Sequence, residues 1–117
     1  MQVEQERSGS AVVLRLSGDV GEQAPEFENA LSHLVRESVA DIIVDLSGVD
    51  DFRAARVLLS AERLRRDQGA LHRLAIVVSS GSRASDRLML QGIKKMIPIF
   101  GNAEEVRDAW ETDGFPA

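Results

Sequence analysis

Six residues near the middle of the chain carry side chains suited to recognition: Asp50, Asp51, Phe52, Arg53, Arg56 and Ser60. Two adjacent carboxylates, an aromatic ring and two guanidiniums three residues apart can make charge-assisted pairs and anchor an interface, because aromatic and Arg side chains carry much of the energy at binding hot spots. The same types have plainer uses. Asp50 and Asp51 at a helix start would be ordinary N-caps, favoured here over a permanent negative charge that imitates a phosphate. Phe52 either stands exposed as an anchor or packs the helix on a sheet, and both readings stay open. Arg53 and Arg56 share a helix face and would pair with acid or be solvated.

Little else points to catalysis. The chain has no cysteine, so disulfides, thiolate metal sites and cysteine nucleophiles are excluded. His33 and His72 show no His-x-His or Glu-x-x-His spacing, and no metal site or cofactor is expected. Ser47 lies in Leu46-Ser47-Gly48, without the glycine spacing of a nucleophile elbow. Ser79-Ser80-Gly81-Ser82 could present backbone amides to a phosphate, but the P-loop glycines and lysine are missing. The chain reads as a non-enzyme.

Composition narrows the field further. The 117 residues, 44% of them hydrophobic, suit one domain over 1–117, with a core over about 11–110 and a frayed tail over 111–117. The net charge of −5 comes from 19 acidic and 14 basic residues that are mixed along the chain, which argues against nucleic acid. No apolar run approaches the roughly 20 residues of a membrane helix, and the N-terminus lacks a signal pattern, so a cytoplasmic protein without membrane insertion is expected. One Trp, four Phe and no Tyr cannot assemble wide stacking platforms.

The elements that must position these residues follow from periodicity. Ala11 to Leu16 reads as a strand closed by Ser17-Gly18-Asp19, paired with Gln2 to Arg7 in a hairpin. Phe27, Ala30, Leu31, Leu34 and Val35 recur at helical spacing after Pro25. Ile42 to Leu46 predicts a central strand, Ser47 to Asp51 a turn, and Phe52 to Asp67 an amphipathic helix ending at Gly69. Leu74 to Val78 is a buried strand, Ala84 to Leu90 a helix, Ile97 to Phe100 a short edge strand, and Asn102 caps a last helix reaching about Trp110. Met89, Leu90, Ile93, Met96 and Ile97 make one corner unusually aliphatic, and an exposed remainder there would allow a homodimer.

Three segments in this order, Leu14 to Val20, Ile42 to Val49 and Val57 to Ala61, together with Leu88 to Gly92, Ile97 to Phe100 and Ala103 to Val106, resemble the STAS domain of sulfate transporters and anti-sigma factor antagonists. The resemblance covers about residues 11–110. It implies an α/β fold, a mixed and mostly parallel sheet of four to five strands with about four helices, acting in regulatory protein–protein interaction like an anti-sigma factor antagonist. The implied partner is a protein, such as an anti-sigma factor serine kinase.

In that family the Asp-Leu-Ser-Gly-Val segment leads into Asp-Ser-Ser-Gly, where a hydroxyl at the helix start is phosphorylated. Here the turn reads as two residues shorter, which sets Asp51 at the family's Asp, Phe52 at its serine, Arg53 beside it and Ala54 at its glycine. Phosphoregulation at the usual position is therefore not expected, with Ser47 a weak substitute. The alternatives are a STAS subunit of an ABC lipid-transport complex or a stressosome-like scaffold, and a small-ligand or nucleotide sensor using the Ser79 to Ser82 turn.

Overall fold

The computed structural model describes residues 1–37, 40–69 and 72–112. Its centre is a five-stranded sheet in the order β1-β2-β3-β4-β5, built from Gln2–Ser8 (β1), Ala11–Val20 (β2), Asp41–Phe52 (β3), Leu74–Val77 (β4) and Ile99–Phe100 (β5). Only β1 runs antiparallel, joined to β2 by a hairpin that turns on Gly9 at φ +61, a conformation glycine adopts without a Cβ clash. The other pairs are parallel, as strand-helix-strand crossovers require. The helices are Pro25–Glu37 (α1), Ala55–Asp67 (α2), Arg83–Leu90 (α3) and Ala103–Thr112 (α4), with one 3-10 turn at Ile93–Lys95.

Alternation along the strands sends side chains to two different cores. Val12, Leu14, Leu16, Ile42, Val44, Leu46 and Ile76 face α1, α2 and α3, meeting Phe27, Leu31, Leu58 and Leu88. Ala11, Val13, Ile43, Ala75 and Val77 face the other way, toward Val106 and Trp110 of α4. One face of the sheet thus carries three helices and the other a single helix. This is why Ile42 to Val44 is an unbroken apolar run: both of its faces are covered.

Several expectations are corrected. The segment from Ser47 to Asp51 is not a turn, because β3 continues to Phe52 while β2 continues past Ser17 to Val20, the two strands staying paired across two register shifts. The second helix begins at Ala55 rather than Phe52. Ser17-Gly18-Asp19, expected to close the strand as a turn, lies within β2, and of Ile97 to Phe100 only Ile99 and Phe100 are strand. The remaining elements stand: Asn102 caps α4 by accepting from the Glu105 N–H at 2.9 Å, and Ser82 caps α3 by accepting from the Ser85 N–H at 3.1 Å. Glu111 and Thr112, expected in the tail, are the last residues of α4, and the rest of that tail, 113–117, lies outside the described residues.

Candidate functional site: the outer face of the second helix

The six recognition residues divide between a strand and a helix. Asp50, Asp51 and Phe52 end β3, Arg53 follows, and Arg56 and Ser60 lie on α2.

Phe52 is 0% exposed. Its ring meets Phe27 of α1 edge-on at 6.1 Å and 74°, inside the larger core. An exposed docking anchor is therefore ruled out; the strand end pairs with Val20 and points the ring inward. Nor do Asp50 and Asp51 cap the helix, since they lie too far before it. The N-cap position is Ala54, which makes no side-chain cap hydrogen bond, and the first turn of α2 contains no acidic residue.

Asp51 instead reaches α3, where the Arg87 guanidinium donates to its two oxygens at 3.1 and 3.4 Å. Hydrogen bonding from Arg87 holds the carboxyl below the usual carboxylate range. Arg56 pairs with Glu28 of α1 at 3.2 Å across an exposed gap, a contact of the kind that contributes ~0–1 kcal/mol. Arg53, Asp50 and Ser60 are exposed. Arg53 lies along Gly21, with its backbone N–H donating to the Val20 carbonyl at 2.8 Å. Asp45 leaves the cluster altogether: its side chain takes Arg15 at 3.1 Å and the Ser47 N–H at 2.9 Å, with Glu6 beyond Arg15. Burial raises its pKa, but the bonds from Ser47 and Arg15 outweigh that and leave it lowered.

The surface that the structure does assemble runs along α2. Arg56, Leu59, Ser60 and Arg63 recur at three- and four-residue spacing on its solvent side. Leu59 is 38% exposed and, with Met96 at 44%, lines a groove of about 340 Å³ between α2 and the 3-10 turn. Leu90, at the end of α3, is more exposed still. Sequence reading missed this groove because Leu58 and Leu59 look alike on the page; one packs fully into the core and the other faces out.

Glu62 was missed as well. It is buried on the inner edge of this helix with a side chain 4% exposed, and Arg65 donates to both of its oxygens at 2.8 and 2.9 Å while Arg66 donates at 2.7 Å. The i+3 and i+4 spacing of the arginines was the available signal. Arg65 also donates to the His72 carbonyl at 2.9 Å, tying the end of α2 to the approach of β4.

Among the described residues no three His, Asp or Glu side chains gather as metal ligands, and His33 is exposed on α1 while His72 is buried ahead of β4. Among the described residues no helix is long and apolar enough to cross a membrane.

No family model matches the sequence, and no curated protein matches it. Solved structures do. An anti-sigma factor antagonist from Mycobacterium paratuberculosis superposes with a TM-score of 0.77 at 18% identity, over 92% of each chain. A Thermotoga maritima protein gives 0.76 at 17% identity, again over 92% of each chain. The Bacillus cell fate determinant SpoIIAA in its phosphorylated form gives 0.61 at 16% identity, over 92% of this chain and 98% of its own. Five strands, mostly parallel, with three helices on one face and a fourth on the other, give this chain the STAS fold, that of the anti-sigma factor antagonists.

Proposed function

We propose that this chain is a regulatory protein–protein interaction module of the anti-sigma factor antagonist kind, acting in the cytoplasm, without catalysis, on a protein partner such as a kinase-like anti-sigma factor. The observation that carries this reading is the outer face of α2. Leu59 and Met96 offer an apolar centre, Arg63 and Arg66 line the same groove with donors beside Glu62 and Asp67, and Arg56 and Ser60 continue the exposed helix face. This is the composition of a hot-spot cluster with a polar rim. Arg53 and Asp50 extend the face toward the end of β3. Phe52 belongs beneath it, in the core.

Phosphate control at the helix start does not fit the residues found there. SpoIIAA exists in a phosphorylated form, whereas α2 begins on Ala54 and Ala55, which have no hydroxyl. A phosphate there would add about two negative charges and repel an acidic partner; two methyl groups leave the docking face permanently available. Leu59→Asp is expected to weaken partner binding at least about tenfold, with thermal stability reduced by about 1–2 kcal/mol, because Leu59 is only 38% exposed. Titration calorimetry against the co-purified partner, with a melting curve beside it, gives both numbers. Undiminished affinity, or a kinase-dependent phosphate on Ser47 that abolishes it, contradicts the proposal.

A further inference from the structure

The second face of the sheet holds a cavity that protein docking on α2 leaves unused. It has a volume of about 450 Å³ and lies between α4 and the β1–β2 hairpin, within the size range of small-molecule sites. Its floor is Ala11, Val13 and Ile43. The pattern of this sheet face is informative. Where the sheet opens to water its side chains are polar, with Glu6, Arg15 and Asp45 forming a charged row. Under α4 the same strands turn apolar, because Val106 and Trp110 pack on Ala11, Val13 and Ile43, and the cavity opens along the edge of that small core.

Trp110, the chain's single tryptophan, forms a wall. Arg73 fixes it, with its guanidinium carbon 5.1 Å from the ring centroid and a hydrogen bond of 3.3 Å to the Trp110 carbonyl. A second guanidinium residue, Arg107, lines the cavity from α4, and Ser8 and Ser10 line it from the hairpin. Arg107 takes part in none of the ion pairs found among the described residues, although Glu111, one turn away on the same helix, also lines the cavity and sets a carboxylate that an anionic guest must avoid. Arg73 over the ring disfavours a cationic guest, because it holds positive charge against the aromatic face.

We propose that this cavity binds a small amphipathic carboxylate, its apolar body on Val13, Ile43 and the Trp110 ring and its carboxylate on Arg107 and the hairpin hydroxyls. A planar guanidinium matches a carboxylate with two parallel hydrogen bonds, which a neutral head group cannot return.

Because Trp110 is the single tryptophan, its fluorescence reports on this cavity alone. The protein is titrated with octanoate, 1-octanol and octylamine, while two-dimensional NMR follows the methyl groups of Val13 and Ile43. The expected result is a saturable response, with octanoate bound about tenfold more tightly than 1-octanol and octylamine weakest. Arg107→Gln, at an exposed position, should remove the preference for octanoate with an unchanged melting curve. Ala103→Leu, which narrows the mouth, should weaken octanoate and 1-octanol together. No saturable response by either probe, equal affinity for octanoate and 1-octanol, a preference for octylamine through Glu111, or wild-type selectivity in Arg107→Gln would each overturn the proposal.

Discussion

Phe52→Ala is expected to destabilise the protein by about 3–5 kcal/mol, the cost of removing a fully buried aromatic side chain and leaving a cavity behind. Native domains of this size are stable by only about 5–15 kcal/mol, so the melting temperature should fall by roughly 10–25 °C. The reason is local. Phe52 closes β3 against Val20 and presents its ring to Phe27, so its loss opens the junction of β2, β3 and α1 at once. Phe52→Leu, which keeps most of the apolar volume, should cost about 1.5 kcal/mol or less. Urea unfolding of the three proteins measures this. A Phe52→Ala protein with wild-type stability and lost partner binding would return the ring to the surface and contradict the packing described above.

Glu62→Ala should cost about 2 kcal/mol. Breaking a buried ion pair typically costs 3–5 kcal/mol because a charge is left without its counterion, but Arg66 is largely exposed and Arg65 keeps its bond to the His72 carbonyl, so the penalty here is smaller. The variant also changes the pH dependence. Burial raises the Glu62 pKa, yet its bonds from Arg65 and Arg66 outweigh that and leave it below the ordinary 4.5. The unfolded chain then takes up protons before the folded one, and the stabilisation is complete above about pH 4.5 and is lost as pH falls through the lowered value.

His72 acts in the same direction at higher pH. Burial, and then Arg65, hold its pKa below 6.5 against the pull of Asp41, and its Nε2 has no hydrogen-bond partner among the described residues. Its protonation is easier in the unfolded chain, so stability falls as pH drops below about 6.5. Urea midpoints from about pH 7 to about pH 4 should fall in two stages in the wild type. In Glu62→Ala they should start lower and lose part of the second stage. An undiminished second stage would assign the acid sensitivity to other carboxylates.

Much of the architecture was readable in the residues. Pro25 with Phe27, Leu31 and Leu34, and the apolar runs Ile42 to Val44 and Leu74 to Val77, have one periodicity each and no competing reading. The segment from Ser47 to Asp51 misled because serine, glycine and aspartate are the residues of turns, while parallel pairing with β2 holds them extended. That misplacement moved the helix start by three residues and left Phe52 undecided between core and surface.

The charged pairs were not legible for another reason. Asp51 with Arg87 and Arg15 with Asp45 join residues about thirty apart, through the sheet and helix packing alone. The cavity under Trp110 depends on how far α4 reaches across the sheet, which no local pattern encodes.

The claim that α2 docks a protein is tested most directly by a photo-crosslinking residue at position 59, compared with the same residue at position 4 on the open sheet face. The expected result is an adduct from position 59 to the protein that co-purifies with the wild type, suppressed by excess unlabelled wild type, and none from position 4. Equal adducts from both positions, or an adduct from position 4 alone, would contradict the account.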